Sequence, residues 1–303
     1  MLFNSFAKCF SWRKELNFSN ATKNDQQWDL IIKPKRSLWD LRLGQVWRYR
    51  DLILLFVRRD FVSYYKQTIL GPLWFLIQPL LTTLTFTVIF GQIAQLPTDG
   101  LPQFLFYLSG TVIWSYFAEC LKKTSETFIA NQNIFGKVYF PRLVMPISVL
   151  LSQLIKFGIQ FLLFLAFVIY FLVSGSEIQI TWYVLLLPVL IFLMAGLGLG
   201  FGIIISSLTT KYRDLRFLVA FGVQLWMYAT PVIYPVSSIP EQWRWILLIN
   251  PLTPIVETFR YAFLGAGTVS WGMLGYSFGF MIVVFLLGVI LFNRVEQTFM
   301  DTV

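Results

Sequence analysis

Long apolar runs alternate with short polar stretches from residue 72 almost to the end of the chain. A helix needs about 20 apolar residues to cross a bilayer. Six runs approach this length, at 72–94, 103–119, 143–173, 181–208, 217–234 and 271–292. The pattern predicts an all-α membrane protein whose residues 70–303 form a domain of six transmembrane helices.

The segment before this domain has a different pattern. Residues 1–36 are polar and mixed in charge without a sustained period, so we expect a disordered tail. Ser37 and Asp40 have the spacing of a capping box, which predicts an amphipathic helix within 37–69. Arg50 interrupts the apolar face, and a break in the helix is expected near it.

The predicted helix has two contrasting faces. Its apolar stripe consists of Val46, Ile53, Val57, Phe61 and Tyr64. The opposite arc consists of Arg48, Asp51, Arg59, Ser63 and Lys66. A basic amphipathic helix beside a membrane domain favours a position in the bilayer interface. The alternative is a surface helix packed on a soluble core.

The charges predict the topology. Of the 24 Lys and Arg residues, 13 precede the first span, and most of the others fall in alternate loops. By the positive-inside rule, both termini and the loop 120–142 are cytoplasmic, and the segment 235–270 is external. The net charge of +9 therefore indicates membrane orientation and contact with lipid rather than a nucleic-acid partner.

The composition restricts the chemistry. The chain has no His, and Cys9 and Cys120 form no plausible metal site or disulfide framework. Phe135-Gly136-Lys137 resembles the end of a phosphate-binding loop, but Asn131 and Val138 break that motif. We therefore expect no catalytic residues, no metal and no cofactor on this chain.

Polar and small residues within the spans mark particular faces. In the first span, one face carries Phe75, Gln78, Thr82, Thr85 and Gln92, and this face indicates either a wet path or helix packing. Lys156 interrupts the third span, where it either snorkels or lines a wet cavity. In the fourth span, glycines in overlapping GxxxG patterns predict close packing, namely Gly196, Gly198, Gly200 and Gly202.

The loop 120–142 is the longest between spans and combines basic with apolar residues. Lys122 and Lys123 flank a short amphipathic stretch. We expect Phe128, Ile129 and Ile134 to be exposed unless something covers them, and these residues together with Phe135 are candidates for contact with a partner.

The external segment 235–270 contains two short apolar helices, predicted at Pro240–Ile249 and Pro254–Leu264 and separated by Asn250-Pro251. Both are too short to span, so they either dip into the membrane under protein cover or lie flat on the outer surface. Glu257 and Arg260 are three residues apart and are predicted to form a partly desolvated pair.

Several short strings resemble the permease subunit of ABC-2 type polysaccharide exporters. They are Tyr65-Lys66-Gln67-Thr68, Leu70-Gly71 with Trp74, Gly110, Trp114, Phe140-Pro141-Arg142, Tyr212-Arg213-Asp214-Leu215, Thr230-Pro231-Val232-Ile233-Tyr234, Asn250-Pro251-Leu252 and Phe259-Arg260. Their order covers about residues 39–300, so the tail 1–36 inherits nothing from the resemblance.

The resemblance implies a homodimer in the bacterial inner membrane with two cytoplasmic ABC ATPase subunits, which hold ATP and Mg²⁺. It implies export of a lipid-linked polysaccharide such as O-antigen, capsule or teichoic acid. It also places Leu70-Gly71 and the loop 120–142 near the ATPase and makes the short external helices a gate. The gate residues are Trp243, Trp245, Asn250, Pro251, Glu257 and Arg260.

Aromatic rings suit a moving polymer because they pack on the C–H faces of sugars. The expected path residues are Phe75, Gln78, Thr82, Phe86, Trp114, Tyr116 and Phe117. Aromatic residues near span ends can instead anchor a helix at the interface.

Two other functions remain open from the residues alone. A secondary transporter usually needs carboxylates within the membrane, for which Glu119 and Glu257 are the candidates. A membrane-embedded lipid- or glycan-processing enzyme would need a catalytic constellation that the sequence does not supply. The identity of the polymer and its lipid carrier is not encoded in any motif.

Overall fold

The computed structural model describes residues 43–66, 68–135, 137–138, 140–210, 212 and 214–302, and regular structure in these ranges is helical. The predicted tail 1–36 and the capping box at Ser37 and Asp40 lie outside the described residues. The helices are α1 (Leu43–Arg48), α2 (Arg50–Tyr65), α3 (Trp74–Phe86), α4 (Gln103–Ser125), α5 (Thr127–Ala130), α6 (Gln132–Phe135), α7 (Val144–Val173), α8 (Leu187–Thr209), α9 (Leu215–Tyr228), α10 (Glu241–Ile249), α11 (Thr253–Leu264) and α12 (Trp271–Thr302).

Five helical stretches in the described chain are long and apolar enough to cross a membrane. They are Gly71–Ile93, Gln103–Ser125, Val144–Val173, Trp182–Thr209 and Trp271–Val295. The first consists of a 3₁₀ turn, α3 and a π-helical turn over Thr87–Ile93. These stretches correspond to five of the six predicted spans, so the protein is a multi-pass membrane protein.

The predicted span 217–234 is only partly helical. Helix α9 has 14 residues and ends at Tyr228, close before Thr230-Pro231. Proline lacks an N–H and disfavours helical backbone in the residue before it, so the chain leaves the helix here. At 1.5 Å per residue, α9 is roughly 21 Å long, less than the hydrocarbon core of about 30 Å.

Helix α4 lies at the centre of the bundle, where it packs against α3, α7, α8, α9 and α11. Most of its side chains are buried, whereas α3 and α7 each leave one face exposed. Helix α8 lies between α4 and α12. This arrangement makes α4 the scaffold on which the other elements are placed.

The glycines of α8 explain how the three helices approach. A Cβ on Gly198 would stand 2.8 Å from Cβ of Cys120 on α4, and one on Gly200 would stand 3.1 Å from the backbone nitrogen of Phe285 on α12. Glycine removes both clashes and lets the helix backbones come close. The predicted packing role of the GxxxG pattern is confirmed, and it serves two partner helices rather than one.

The N-terminal helix differs in part from its prediction. It is broken at Tyr49, next to the expected position Arg50, which gives α1 and α2. The stripe residues Val46, Ile53 and Val57 are buried against protein rather than open to lipid. They join a hydrophobic cluster that also contains residues of α5, α7 and α12, because these elements end on the same side of the bundle. The polar arc is exposed as predicted.

The two short helices after α9 are present but have different environments. Helix α11 is buried along almost its whole length and packs on α4, α8 and α12. It ends at Gly265, whose φ of 78° is the left-handed conformation expected of a glycine after a helix. Helix α10 leaves most of its apolar side chains exposed. The protein cover expected of a re-entrant pair is therefore observed for α11 and not for α10.

Candidate functional site

Asn250 connects three segments that the sequence shows only as separate strings. Its Nδ2 donates to the carbonyl of Ala229 at 3.1 Å and to Oγ1 of Thr230 at 2.8 Å. Its Oδ1 accepts from the indole N–H of Trp226 at 3.2 Å and from the backbone N–H of Leu252 at 3.1 Å. The side chain thus uses donors and acceptors together to fix the end of α9 against the start of α11.

The predicted pair between Glu257 and Arg260 is confirmed, and it is buried more deeply than expected. Nη1 of Arg260 donates to Oε1 of Glu257 at 3.1 Å, and the side chains are 1% and 5% exposed for Arg260 and Glu257. Nη2 of Arg260 donates to the carbonyl of Pro231 at 2.9 Å, and the guanidinium stands 3.8 Å from the centre of the Phe106 ring. A charge so far from water needs such partners.

Gly110 on α4 completes this junction. A Cβ at Gly110 would stand 2.8 Å from the carbonyl oxygen of Val232, the residue after Pro231. Only glycine lets the chain after α9 pass so close to α4. The strings containing Gly110, Thr230-Pro231, Asn250-Pro251 and Arg260 therefore form one packed junction between α4, α9 and α11.

The predicted gate residues do not form a single cluster. Asn250, Pro251, Glu257 and Arg260 are buried in the junction, whereas Trp243 and Trp245 on α10 are more than half exposed. The two tryptophans thus lie on a surface and not in the junction. Exposed tryptophans of this kind are typical of a membrane–water interface.

The expected exposure of the loop 120–142 is wrong for Phe128. Phe128 is fully buried and stacks on Phe292 of α12 with ring centres 4.6 Å apart. Phe135 is also buried, at 6.0 Å from Phe128, and Ile129 and Ile134 are half-buried. The apolar face of the loop is covered by α12 and α7 of the same chain, which is a contact that local sequence does not reveal.

The surface that the loop does expose is mainly polar. Lys123, Glu126, Lys137 and Val138 are exposed, and Lys122 is half-buried. A groove of about 450 Å³ separates this surface from α2. Its lining residues are Arg59, Asp60, Ser63, Lys123, Glu126, Ala130, Asn131, Ile134, Val149 and Gln153.

The turn between α2 and α3 lies next in the chain. Leu70 is partly exposed, while Gly71 is buried with a φ of 50°. This positive φ explains why glycine occupies the position. Pro72 stands in the first turn of the span, where the N–H that proline lacks would have no helical partner.

Some of the predicted path residues converge on a cleft. The cleft has a volume of about 100 Å³ and lies between α3, α4, α7 and α9. Its lining residues are Gln78, Pro79, Thr82, Thr111, Trp114, Ser115, Glu119, Lys156, Gln160 and Met227. Gln78, Thr82 and Trp114 belong to the predicted path set, and the cleft brings them together.

A polar network on α4 and α7 borders this cleft. Nζ of Lys156 lies 3.6 Å from Oε2 of Glu119 and 5.9 Å from the centre of the Phe75 ring. Oγ of Ser115 donates to Oε1 of Gln160 at 2.8 Å, and Nε2 of Gln160 donates to the carbonyl of Phe75 at 3.3 Å. Sequence reasoning left Lys156 either snorkelling or lining a wet cavity. It did not find Glu119 as its partner, because the two residues lie on different helices.

The remaining path aromatics belong to the core instead. Tyr116 and Phe117 are buried, and their rings lie 5.2 Å from Phe157 and 5.3 Å from Trp226. Phe86 is buried near Tyr107. These side chains pack between helices and do not line the cleft.

Comparisons with known proteins agree with this architecture. The family described as ABC-2 type transporter matches residues 51–264. The O-antigen export system permease protein RfbA of Klebsiella pneumoniae is 29% identical over 83% of this chain and 94% of its own length. RfbA of Myxococcus xanthus is 27% identical over 72% of this chain and 82% of its own length. The polysialic acid transport protein KpsM of Escherichia coli is 28% identical over 77% of this chain and 89% of its own length.

Proposed function

Since this chain belongs to the ABC-2 type transporter family and is a transmembrane permease of an ATP-driven exporter, we propose that it exports a lipid-linked polysaccharide across the bacterial inner membrane. The observation that carries this proposal is the match to relatives named for O-antigen and polysialic acid transport over most of their length. The geometry adds a polar cleft bordered by a charged pair within otherwise apolar helices.

ATP is hydrolysed on a separate ABC ATPase that docks beside the loop 120–142, with both chain termini on the same cytoplasmic side. The basic residues of this loop and of α2 support that orientation. The docking surface is the exposed side of the loop, where Lys123 and Glu126 line the groove beside α2 and Val138 is exposed farther along the chain. Phe128 anchors the loop by packing on Phe292 and does not contact the ATPase.

The permease works as a homodimer. Gln78 on α3 and Gln224 on α9 are exposed on mainly apolar helices. The large apolar side chains of Phe217 and Phe221 on α9 are exposed as well. An amide facing hydrocarbon has no hydrogen-bond partner, so these faces belong against protein or a wet path. In a homodimer whose path runs between the two protomers, the second copy covers part of these faces with protein and the path keeps the rest in contact with water.

Gene deletions in the source bacterium test this function. Removing this chain is expected to abolish surface polysaccharide while complete polymer accumulates inside the cell. Removing the partner ATPase is expected to give the same result, because neither half exports alone. Both outcomes are measured by staining cell-surface and cytoplasmic polymer fractions separately.

The two alternatives give different results in the same experiment. A glycan-processing enzyme would leave no complete polymer in either fraction when this chain is deleted. A secondary transporter would continue to export without the ATPase. The control is the deletion strain carrying wild-type protein on a plasmid, which restores surface polymer.

A further inference from the structure

We propose that the cleft beside Glu119 and Lys156 is a binding site for a sugar unit of the polymer, with the carboxylate of Glu119 accepting hydrogen bonds from sugar hydroxyls. This inference rests on the proposed function and names a site for it. The cleft is lined by residues of α3, α4, α7 and α9, and one of them, Gln78, is exposed. Its volume of about 100 Å³ accepts the edge of a ring.

The cleft holds hydrogen-bonding groups that the described part of the chain does not satisfy. The indole N–H of Trp114 and the side-chain amide of Gln78 have no partner there, and Glu119 meets only Lys156. An acyl chain in the cleft would leave these donors and acceptors unpaired, at a free-energy cost for each. Sugar hydroxyls satisfy both kinds of group, since each donates one hydrogen bond and accepts two.

The charged pair is loose enough to admit a ligand. The separation of 3.6 Å between Nζ of Lys156 and Oε2 of Glu119 exceeds the distance of about 2.8 Å that is usual for a charge-assisted hydrogen bond. The two side chains are 11% and 25% exposed for Lys156 and Glu119. Lys156 therefore offsets the charge of the carboxylate within the helix bundle while leaving its oxygens able to accept from hydroxyls.

The neighbouring amide is held in place by protein. Gln160 is 3% exposed and is bonded to both Ser115 and the carbonyl of Phe75. The wall of the cleft next to Lys156 is thus fixed before any ligand arrives, which lowers the entropy lost on binding. Trp114 supplies an aromatic wall that packs on the C–H face of a sugar.

Charge-neutral variants separate a binding role from a structural one. Glu119→Gln alone leaves Lys156 without a counter-charge, and Lys156→Met alone leaves the carboxylate without one, so either single change can impair folding. The double variant Glu119→Gln/Lys156→Met removes both charges at nearly constant volume. We expect it to accumulate at the wild-type level and to export polymer roughly tenfold more slowly, because the neutral amide of glutamine accepts weaker hydrogen bonds from hydroxyls than a carboxylate does. Wild-type export by a normally accumulating double variant would show that the pair is purely structural and overturn the proposal.

Photo-crosslinking measures the contact directly and covers the case in which the double variant fails to fold. The photoreactive residue p-benzoyl-phenylalanine replaces Gln78 in the full chain, expressed with its ATPase in polymer-producing cells. We expect a crosslinked species that stains for polysaccharide. The matched control is the same substitution at Leu162 on α7, which is 67% exposed on an apolar helix and is expected to crosslink lipid only.

Crosslinks from position 78 to lipid alone, to a second copy alone, or to nothing would each overturn the proposed site. These results would leave the export function intact as long as deletion of the chain still traps polymer inside the cell. Continued export after deletion would contradict the function itself. The two failures are therefore distinguishable.

Discussion

Arg260 donates a hydrogen bond of 3.1 Å to the carboxylate of Glu257, one turn earlier on α11, and neither side chain is open to solvent. The pair stands at the junction of α4, α9 and α11, because Arg260 also reaches the carbonyl of Pro231. Because the pair lies in the interior of the helix bundle, it contributes to the stability of the fold.

Breaking this pair is expected to lower the protein level as well as export. Glu257→Ala leaves a buried guanidinium without its counter-charge, at a cost of about 3–5 kcal/mol. The sequence alone suggested a peripheral gate and a near-normal protein level, and the burial of both partners changes that expectation. The measurement is the thermal unfolding midpoint in detergent together with membrane abundance.

Glu241→Ala is the matched control, because Glu241 is exposed on α10. It is expected to leave the unfolding midpoint unchanged. An equal effect of Glu241→Ala and Glu257→Ala would show that the burial of the pair contributes nothing specific.

Phe128 is expected to determine the stability of the loop rather than contact a partner directly. Phe128→Ala removes the ring that stacks on Phe292, and truncating a buried Phe costs about 3–5 kcal/mol. Membrane abundance should fall, and the smaller change Phe128→Leu should restore most of it.

A substitution at the exposed residue Val138 is expected to reduce coupling to ATP hydrolysis without lowering protein abundance, in contrast to Phe128→Ala. Val138→Asp adds a charge to a side chain that is 57% exposed, so protein abundance should stay normal. If the ATPase docks here, export per ATP hydrolysed should drop. Normal coupling in Val138→Asp would move the docking surface elsewhere on the loop.

Asn250 is expected to stabilise the end of α9 and the start of α11 together. Asn250→Ala leaves the indole N–H of Trp226 and the carbonyl of Ala229 without this partner, at about 1–3 kcal/mol for each buried group that stays unpaired. The unfolding midpoint should fall. Asn133→Ala is the control, since Asn133 is exposed on α6 and should have no effect.

Gly110 is expected to tolerate no side chain. In Gly110→Ala the new Cβ meets the carbonyl oxygen of Val232 at 2.8 Å, and overpacking of this kind costs about 1–3 kcal/mol. Gly158→Ala on α7 is the matched control, because nothing lies within 4 Å of a Cβ there. Equal unfolding midpoints for the two variants would contradict the close approach.

Cysteine labelling is expected to show that water reaches the cleft but not the core of the helix bundle. In a Cys9→Ser background, which leaves Cys120 as the other cysteine, Gln78→Cys is expected to react with a membrane-impermeant maleimide in inside-out or right-side-out vesicles. The native Cys120 is 0% exposed and should stay unmodified. Leu162→Cys, on the exposed apolar face of α7, should react only with a lipid-soluble reagent. A Gln78→Cys variant that behaves like Leu162→Cys would place this face in lipid.

The class of protein and most of its helices follow from local sequence patterns. Apolar run length predicts spans because the bilayer demands about 20 apolar residues, and proline and glycine mark helix ends through their own backbone chemistry. The same local rules correctly predicted the break near Arg50, the short helices around Asn250-Pro251 and the pairing of Glu257 with Arg260 at one helical turn.

Which neighbour each helix face packs against follows from the tertiary structure and not from local sequence. Phe128 is buried because Phe292, far along the chain, covers it, and Glu119 is paired because α7 brings Lys156 alongside α4. Asn250 is a connecting residue because α9 ends beside it. The local sequence pattern specifies how a helix distributes its apolar side chains. Which of them become buried depends on the distant element that packs against the helix, and this packing is set by the free energy of the whole helix bundle.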